Sequence, residues 1–183
     1  RYASSLVALG NNSAATEGEI LNFATMLASR NQMFNVTAKQ ALGVAASFRS
    51  MGLQSELASS GVTRVMDVFN KAISGGADEM RILQSVTGKT QEQLAEQFSK
   101  NSIEAVLDFA EGLYAIEKSQ KNIAKGKRVD LGNVMEALGI GGIAESTVFT
   151  TMGKNIDGIR KSLELANIEY EKNTANVSEY LVQ

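Results

Sequence analysis

Acidic side chains occur in three close pairs, and paired carboxylates are the one arrangement in this chain that suits acid–base chemistry. The pairs are Glu17 with Glu19, Asp78 with Glu79, and Asp108 with Glu111. Acid–base catalysis by two carboxylates needs one of them desolvated, so that their pKa values separate. All three pairs lie among polar residues, and two fall in first turns of predicted helices, where acids suit the helix dipole. We interpret them as solvated surface residues.

Other catalytic and ligand-binding chemistry lacks its usual residues. The chain contains no His and no Cys, which excludes the Ser-His-Asp triad, thiolate nucleophiles and the usual zinc and iron–sulfur sites. The glycine-rich run at 139–142 has neither the preceding strand nor the Lys-Ser/Thr ending of a phosphate-binding loop. The sequence therefore predicts a protein that is not an enzyme and has no cofactor, no metal and no small-molecule substrate.

A basic stretch runs from Lys118 to Arg128. It holds five cationic residues and no acidic one, which suits the negative end of a helix dipole followed by a loop. Contact with a nucleic-acid backbone is the alternative, but the stretch has no interleaved aromatic residues for base stacking. We expect a solvated helix end and loop, and nucleic-acid contact is the alternative.

The composition predicts an all-α protein. The 183 residues include no Pro, and the net charge is −2, so bulk charge gives no reason to expect an anionic partner. Apolar residues recur at helical spacing throughout, and no segment alternates as a strand does. We predict a compact domain over 1–146, within a total of about eight helices, and a long helix of coiled-coil character over 147–183.

Two glycine tripeptides predict abrupt helix ends. Gly52 lies within Met51-Gly52-Leu53, and Gly139 lies within Leu138-Gly139-Ile140. Glycine adopts the positive φ that ends a helix within one residue. We predict a helix pivot at each glycine, so that an otherwise helical chain folds back on itself.

The C-terminal segment carries an apolar stripe with 4-3-4-3 spacing, which is typical of a coiled-coil seam. The stripe consists of Met152, Ile156, Ile159, Leu163, Ala166, Tyr170, Asn173, Val177 and Tyr180. Asn173 is a polar residue of the kind that fixes register. The stripe suits packing inside this chain and an oligomer interface equally well. Because it reaches Gln183 without a stop signal, we expect the helix to continue in a longer parent protein.

Four segments resemble the core module of bacteriophage tail tape measure proteins, and their order and spacing over roughly residues 14–170 carry the resemblance. They are the entry helix from Glu19 to Ala24, residues 36–62 with the Met51-Gly52-Leu53 pivot, Leu94–Phe98 followed by Ala105–Phe109 and Gly112-Leu113, and Leu138-Gly139-Ile140 before the last helix.

The resemblance implies a virion structural protein without catalytic residues. Such proteins lie inside the phage tail tube, set tail length, and leave ahead of the DNA during infection. It also implies several copies per tail as a homo-oligomer, contacts with tail tube and tail tip proteins and with tail assembly chaperones, and a location in the phage or prophage virion after assembly in the host cytoplasm. The alternative is a non-catalytic helical scaffold or interaction module with an oligomerising coiled-coil tail.

Overall fold

The computed structural model describes residues 1–29, 34–120 and 129–173. Within these ranges the chain forms ten α-helices and no strand, which confirms the predicted all-α class. The helices are α1 (Tyr2–Asn11), α2 (Glu17–Ala28), α3 (Ala38–Ser50), α4 (Ser55–Ile73), α5 (Ala77–Thr87), α6 (Gln91–Lys100), α7 (Ser102–Ser119), α8 (Leu131–Ala137), α9 (Ile143–Lys154) and α10 (Ile156–Lys172).

Side-chain caps define where many of the helices begin. Thr16, Thr37 and Thr90 each form a complete capping box with a Glu or Gln three residues later, an arrangement that satisfies two orphan main-chain donors at once. Helix α7 is capped by Asn101, whose side chain accepts from the main-chain N–H three residues on, and Ser102 is its first helical residue.

Helix α1 was not predicted. Ser4 and Ser5 lie on its buried side together with Val7, Ala8 and Leu9. These hydroxyls interrupt the apolar stripe that identifies a helix in the sequence. The helix also has no side-chain cap, so its start carries no sequence signal.

The prediction of one long helix over 147–183 was wrong. The chain leaves helical geometry at Asn155, which separates α9 from α10. The Asn155 side-chain amide donates to the carbonyl oxygen of Thr151 at 2.8 Å, and this bond satisfies a terminal carbonyl of α9. At the other end, Asn173 has a φ of 58° and α10 stops at Lys172. Asn173 therefore ends the helix instead of occupying a seam position.

The contacts divide the chain into two compact units, and the division differs from the predicted boundary between residues 146 and 147. Unit 1 consists of Arg1–Ser59 together with Asp157–Gln183, and unit 2 consists of Ser60–Ile156. Unit 1 is therefore built from two segments that are far apart in the sequence, with unit 2 inserted between them.

Unit 1 contains α1, α2, α3 and α10. Helix α2 packs chiefly against α3, and α1 contacts both. Phe23 and Phe48 are fully buried between α2 and α3, with ring centroids 5.8 Å apart. A Cβ atom on Gly43 would lie 2.8 Å from the Cα of Leu163. The missing side chain thus permits close approach of α3 and α10.

Unit 2 is organised around α7, which contacts α5, α6 and α9. Four phenylalanines form a continuous aromatic core, in which Phe69 stacks on Phe98 at 5.3 Å and meets Phe109 edge-to-face at 6.2 Å, and Phe109 meets Phe149 at 6.1 Å. Such ring pairs contribute stability beyond their buried area. Among the helices described in the two units, none combines the length and the apolar character needed to cross a membrane.

Candidate functional site

The acidic pairs are held by cations and helix termini. Glu79 forms an ion pair with Lys71 at 2.6 Å, and that ammonium group lowers the pKa of Glu79. Asp78 pairs with Arg81, and Asp108 accepts from Lys89 and Gln97. A general acid needs the opposite environment, one that keeps a carboxyl group protonated.

The carboxyl group of Glu19 has a strongly lowered pKa. Its Oε2 accepts from the Thr16 main-chain N–H at 2.9 Å, and its Oε1 lies 2.5 Å from Arg49. The Thr16 N–H, with the Arg49 guanidinium next in importance, lowers the pKa of Glu19 to about 2. Glu19 is therefore a permanently ionised structural group at physiological pH, and its predicted partner Glu17 is exposed on the first turn of α2.

Both pivot glycines have the same geometry. Gly52 has a φ of 75° and Gly139 a φ of 73°. After Gly52, the N–H of Leu53 reaches back to the carbonyl oxygen of Phe48 at 3.0 Å. The residue after Gly139 repeats this bond to the residue five positions earlier, at 2.9 Å. This is the Schellman arrangement, in which a left-handed residue lets the chain satisfy the last carbonyls of a helix.

Arg49 links the first pivot to the start of α2, a role that sequence reasoning missed. One terminal nitrogen of Arg49 donates to the Leu53 carbonyl oxygen at 3.0 Å, and the other binds Glu19. The signal that points to this contact is the Thr16–Glu19 capping box, which fixes the carboxylate at the helix N-terminus. The guanidinium therefore joins a helix start to a helix stop within unit 1.

The residues of the C-terminal stripe are largely buried in the single chain. Met152, Ile156, Ile159 and Ala166 are buried, and the half-buried members are Leu163, Tyr170 and Asn173. Val177 and Tyr180 lie outside the described residues. In unit 1 this face is already covered by the same chain, so a second copy reaches it only by taking the place of that cover.

Helices α1 and α3 pack over α10. The Ser5 hydroxyl donates to the Ala166 carbonyl oxygen at 2.8 Å, and the Ser47 hydroxyl approaches the Gly158 carbonyl oxygen at 3.5 Å. At the far end, the Lys39 ammonium group lies 5.7 Å from the Tyr170 ring centroid. These contacts favour the intramolecular alternative for the part of the stripe in unit 1.

A groove of about 490 Å³ in unit 2 was not predicted from the sequence. It lies between the end of α7 and helices α8 and α9, with Met135 and Phe149 among its apolar lining and Glu117, Ser146 and Thr150 among its polar lining. Its volume falls within the range of small-ligand pockets. No sequence motif marks it, because its residues come from three separate helices.

The basic stretch is only partly visible, since residues 121–128 lie outside the described part of the chain. Lys118 is exposed on the last turn of α7. The side-chain amide of Gln120 bonds both the N–H and the carbonyl oxygen of Val129, so it joins a residue near the start of the stretch to the residue that follows it. Within the described ranges, no cluster of acidic side chains has the arrangement needed to hold a metal ion.

The chain matches no family model, no curated protein and no solved structure. These comparisons therefore show no family for the chain. Its function is proposed below from its residues and their geometry.

Proposed function

We propose that this chain is a structural module of a phage tail tape measure protein. In this role it lies in the lumen of the tail tube, contributes to the determination of tail length, and is released ahead of the DNA. Its partners are tail tube and tail tip proteins, tail assembly chaperones and further copies of itself. The module acts through packing and length and catalyses no reaction.

The shared geometry of the two pivots is the observation that carries the proposal. Met51-Gly52-Leu53 and Leu138-Gly139-Ile140 belong to the segments on which the resemblance rests. The resemblance rests on the order and spacing of those segments, and the sequence predicts that both tripeptides end helices. Each has a positive φ at its glycine and the same five-residue return bond, which supports the proposal.

A helical interaction module of another kind is the second candidate. The groove between α7, α8 and α9 favours it, because a pocket of about 490 Å³ with apolar and polar residues in its lining suits a bound ligand or a side chain from a partner. A protein of this kind does not have to be part of a virion, which separates the two candidates experimentally.

Tail length tests the first candidate. We would delete unit 2, residues 60–156, in frame from the phage gene that encodes the parent protein and measure tails by electron microscopy. The expected result is a shorter tail. The loss of length is at most roughly 1.5 Å for each residue removed, which is the rise per residue if the segment lies fully helical in the tube.

The control recodes the same segment with synonymous codons, which leaves the protein and the tail unchanged. Tails of full length on phages that carry the deletion would contradict the proposal and favour an interaction module.

A further inference from the structure

We propose that α10 exchanges between two copies of this chain. In the exchanged form Asn155 becomes helical, α9 and α10 join into one helix, and the α10 of each chain completes unit 1 of the other. The partner is thus a second copy of this chain. The inference stands on the geometry of α9, α10 and unit 1 and does not depend on the phage proposal.

The first observation is that the apolar stripe stays in phase across the break. Met152 and Ile156 are four residues apart, Ile159 follows after three, and Leu163 and Ala166 continue the pattern. A continuous helix places all these positions on one face. The sequence is therefore patterned for one helix over a region where the structure has two.

The second observation is the small size of the hinge. Asn155 alone separates α9 from α10, with a φ of −126° and a ψ of 22°. Its N–H bonds the Met152 carbonyl oxygen at 2.9 Å and its side chain bonds the Thr151 carbonyl oxygen. In a continuous helix its N–H bonds the Thr151 carbonyl oxygen instead. Short hinges of this kind are the usual sites of domain exchange.

The third observation is that unit 1 is incomplete without α10. Ser5, Gly43 and Ser47 contact α10 from positions more than a hundred residues earlier in the chain. Lys39 adds a hydrogen bond to Asn167 at 2.5 Å. The α10 of a second copy presents the same groups to the same surface, so exchange keeps every one of these contacts. The resulting interface is symmetric, with each chain giving and receiving one helix.

The hinge is tested by two substitutions at one exposed residue of the full chain. Asn155→Ala removes the side-chain cap and raises helix propensity, while Asn155→Gly favours the break. By sedimentation equilibrium, we expect Asn155→Ala to dimerise about tenfold more tightly than the unchanged chain, because the propensity gain counts once in each of two chains. Asn155→Gly dimerises more weakly.

Gly158→Ala is the matched control, since a Cβ there meets nothing within 4 Å and the residue lies within α10, outside the hinge. It stabilises α10 in both forms and leaves the dimerisation constant unchanged. An Asn155→Ala chain that remains monomeric, or a dimerisation constant that is the same for the Ala and Gly variants, overturns the proposal.

A disulfide distinguishes exchange from any other dimer. The chain has no Cys, and the Ser5 hydroxyl lies 2.8 Å from the Ala166 carbonyl oxygen. We would introduce Ser5→Cys with Ala166→Cys, separate monomer from dimer by size, oxidise both, and run them on a denaturing gel without reductant. Exchange predicts a covalent dimer only from the dimeric fraction, where the two cysteines belong to different chains.

A dimeric fraction that runs as monomers with internal disulfides overturns the proposal, because it places the interface elsewhere. If the first pair does not oxidise, Ser4→Cys with Glu169→Cys replaces it, since the native side chains are 3.1 Å apart. This pair distinguishes disulfides between chains from disulfides within one chain in the same way.

Discussion

At the scale of single residues, Arg49 and Glu19 determine how the first pivot is attached to unit 1. Arg49 bonds both the Glu19 carboxylate and the carbonyl oxygen of Leu53. Because Glu19 also completes the capping box at Thr16, one ion pair connects the start of α2 with the turn after α3. Its effect on unit 1 depends on the ionisation of Glu19.

We expect the stability of unit 1 to fall in acid as Glu19 takes up a proton. The folded pKa of about 2 lies below the ordinary value of 4.5, so the unfolded state binds the proton more readily. The contribution is present above pH 4.5 and is lost as the pH falls towards about 2. Urea unfolding over this range measures it.

Glu19→Gln is the matched variant, since an amide oxygen still caps α2 but carries no charge. Its unfolding midpoint depends less on pH in the same window. Identical pH profiles for the two chains would show that the Glu19 carboxylate does not contribute.

Gly43 provides a second prediction at this scale. A methyl group there lies 2.8 Å from the Leu163 Cα and 3.0 Å from the Ser162 carbonyl oxygen. Main-chain atoms do not yield as a flexible side chain does, so Gly43→Ala lowers the free energy of unfolding by about 1–3 kcal/mol. Gly18→Ala, at a helical position with open space, raises it by roughly 0.5–1 kcal/mol. A neutral Gly43→Ala variant contradicts the close approach of α3 and α10.

At the scale of helices, the two pivots are the elements that turn the chain. A Cβ at Gly52 or Gly139 meets nothing within 4 Å, so only the positive φ opposes a side chain there. Gly52→Ala and Gly139→Ala each lower the free energy of unfolding by about 1–2 kcal/mol. Asn at either position costs less, because it tolerates left-handed geometry. Equal effects of Ala and Asn in chemical denaturation would contradict a conformational cause.

Helix starts and stops with local side-chain signals were predictable from the sequence. Thr37 and Thr90 cap as their spacing indicates, because each capping box is contained within four residues. Helix α1 was not predicted, since its buried face includes two serines whose acceptors lie in α10. The break at Asn155 was also missed, because the apolar spacing on both sides of it fits one helix.

The groove was beyond prediction for a related reason. Its lining combines α7, α8 and α9, with residues such as Tyr114, Met135 and Phe149 that are ordinary core residues in their own helices. A pocket of this kind depends on tertiary packing and leaves no periodic signal in the sequence. Residues 121–128 of the basic stretch and the stripe positions beyond Asn173 stay predictions, since they fall outside the described residues.

At the scale of the whole molecule, the decisive feature is that unit 1 needs two segments that are far apart in the sequence. Truncation after Ile156 removes α10 and exposes the surfaces of α1 and α3 that it covers. We expect circular dichroism to lose more helix than the 17 residues of α10, because unit 1 loosens as well. Unit 2 retains its Phe69, Phe98, Phe109 and Phe149 core. A loss confined to α10 would show that residues 1–59 fold alone.

The phage-tail proposal is tested most directly by quantitative mass spectrometry of purified virions before and after DNA ejection is triggered. We expect peptides of this chain in DNA-filled particles, at several copies per tail, and their depletion from the emptied particles, while tail tube protein stays constant in both. Peptides that occur in lysates but not in purified virions, or that remain in the emptied tails at an unchanged amount, would contradict a module that lies in the tube lumen and leaves ahead of the DNA.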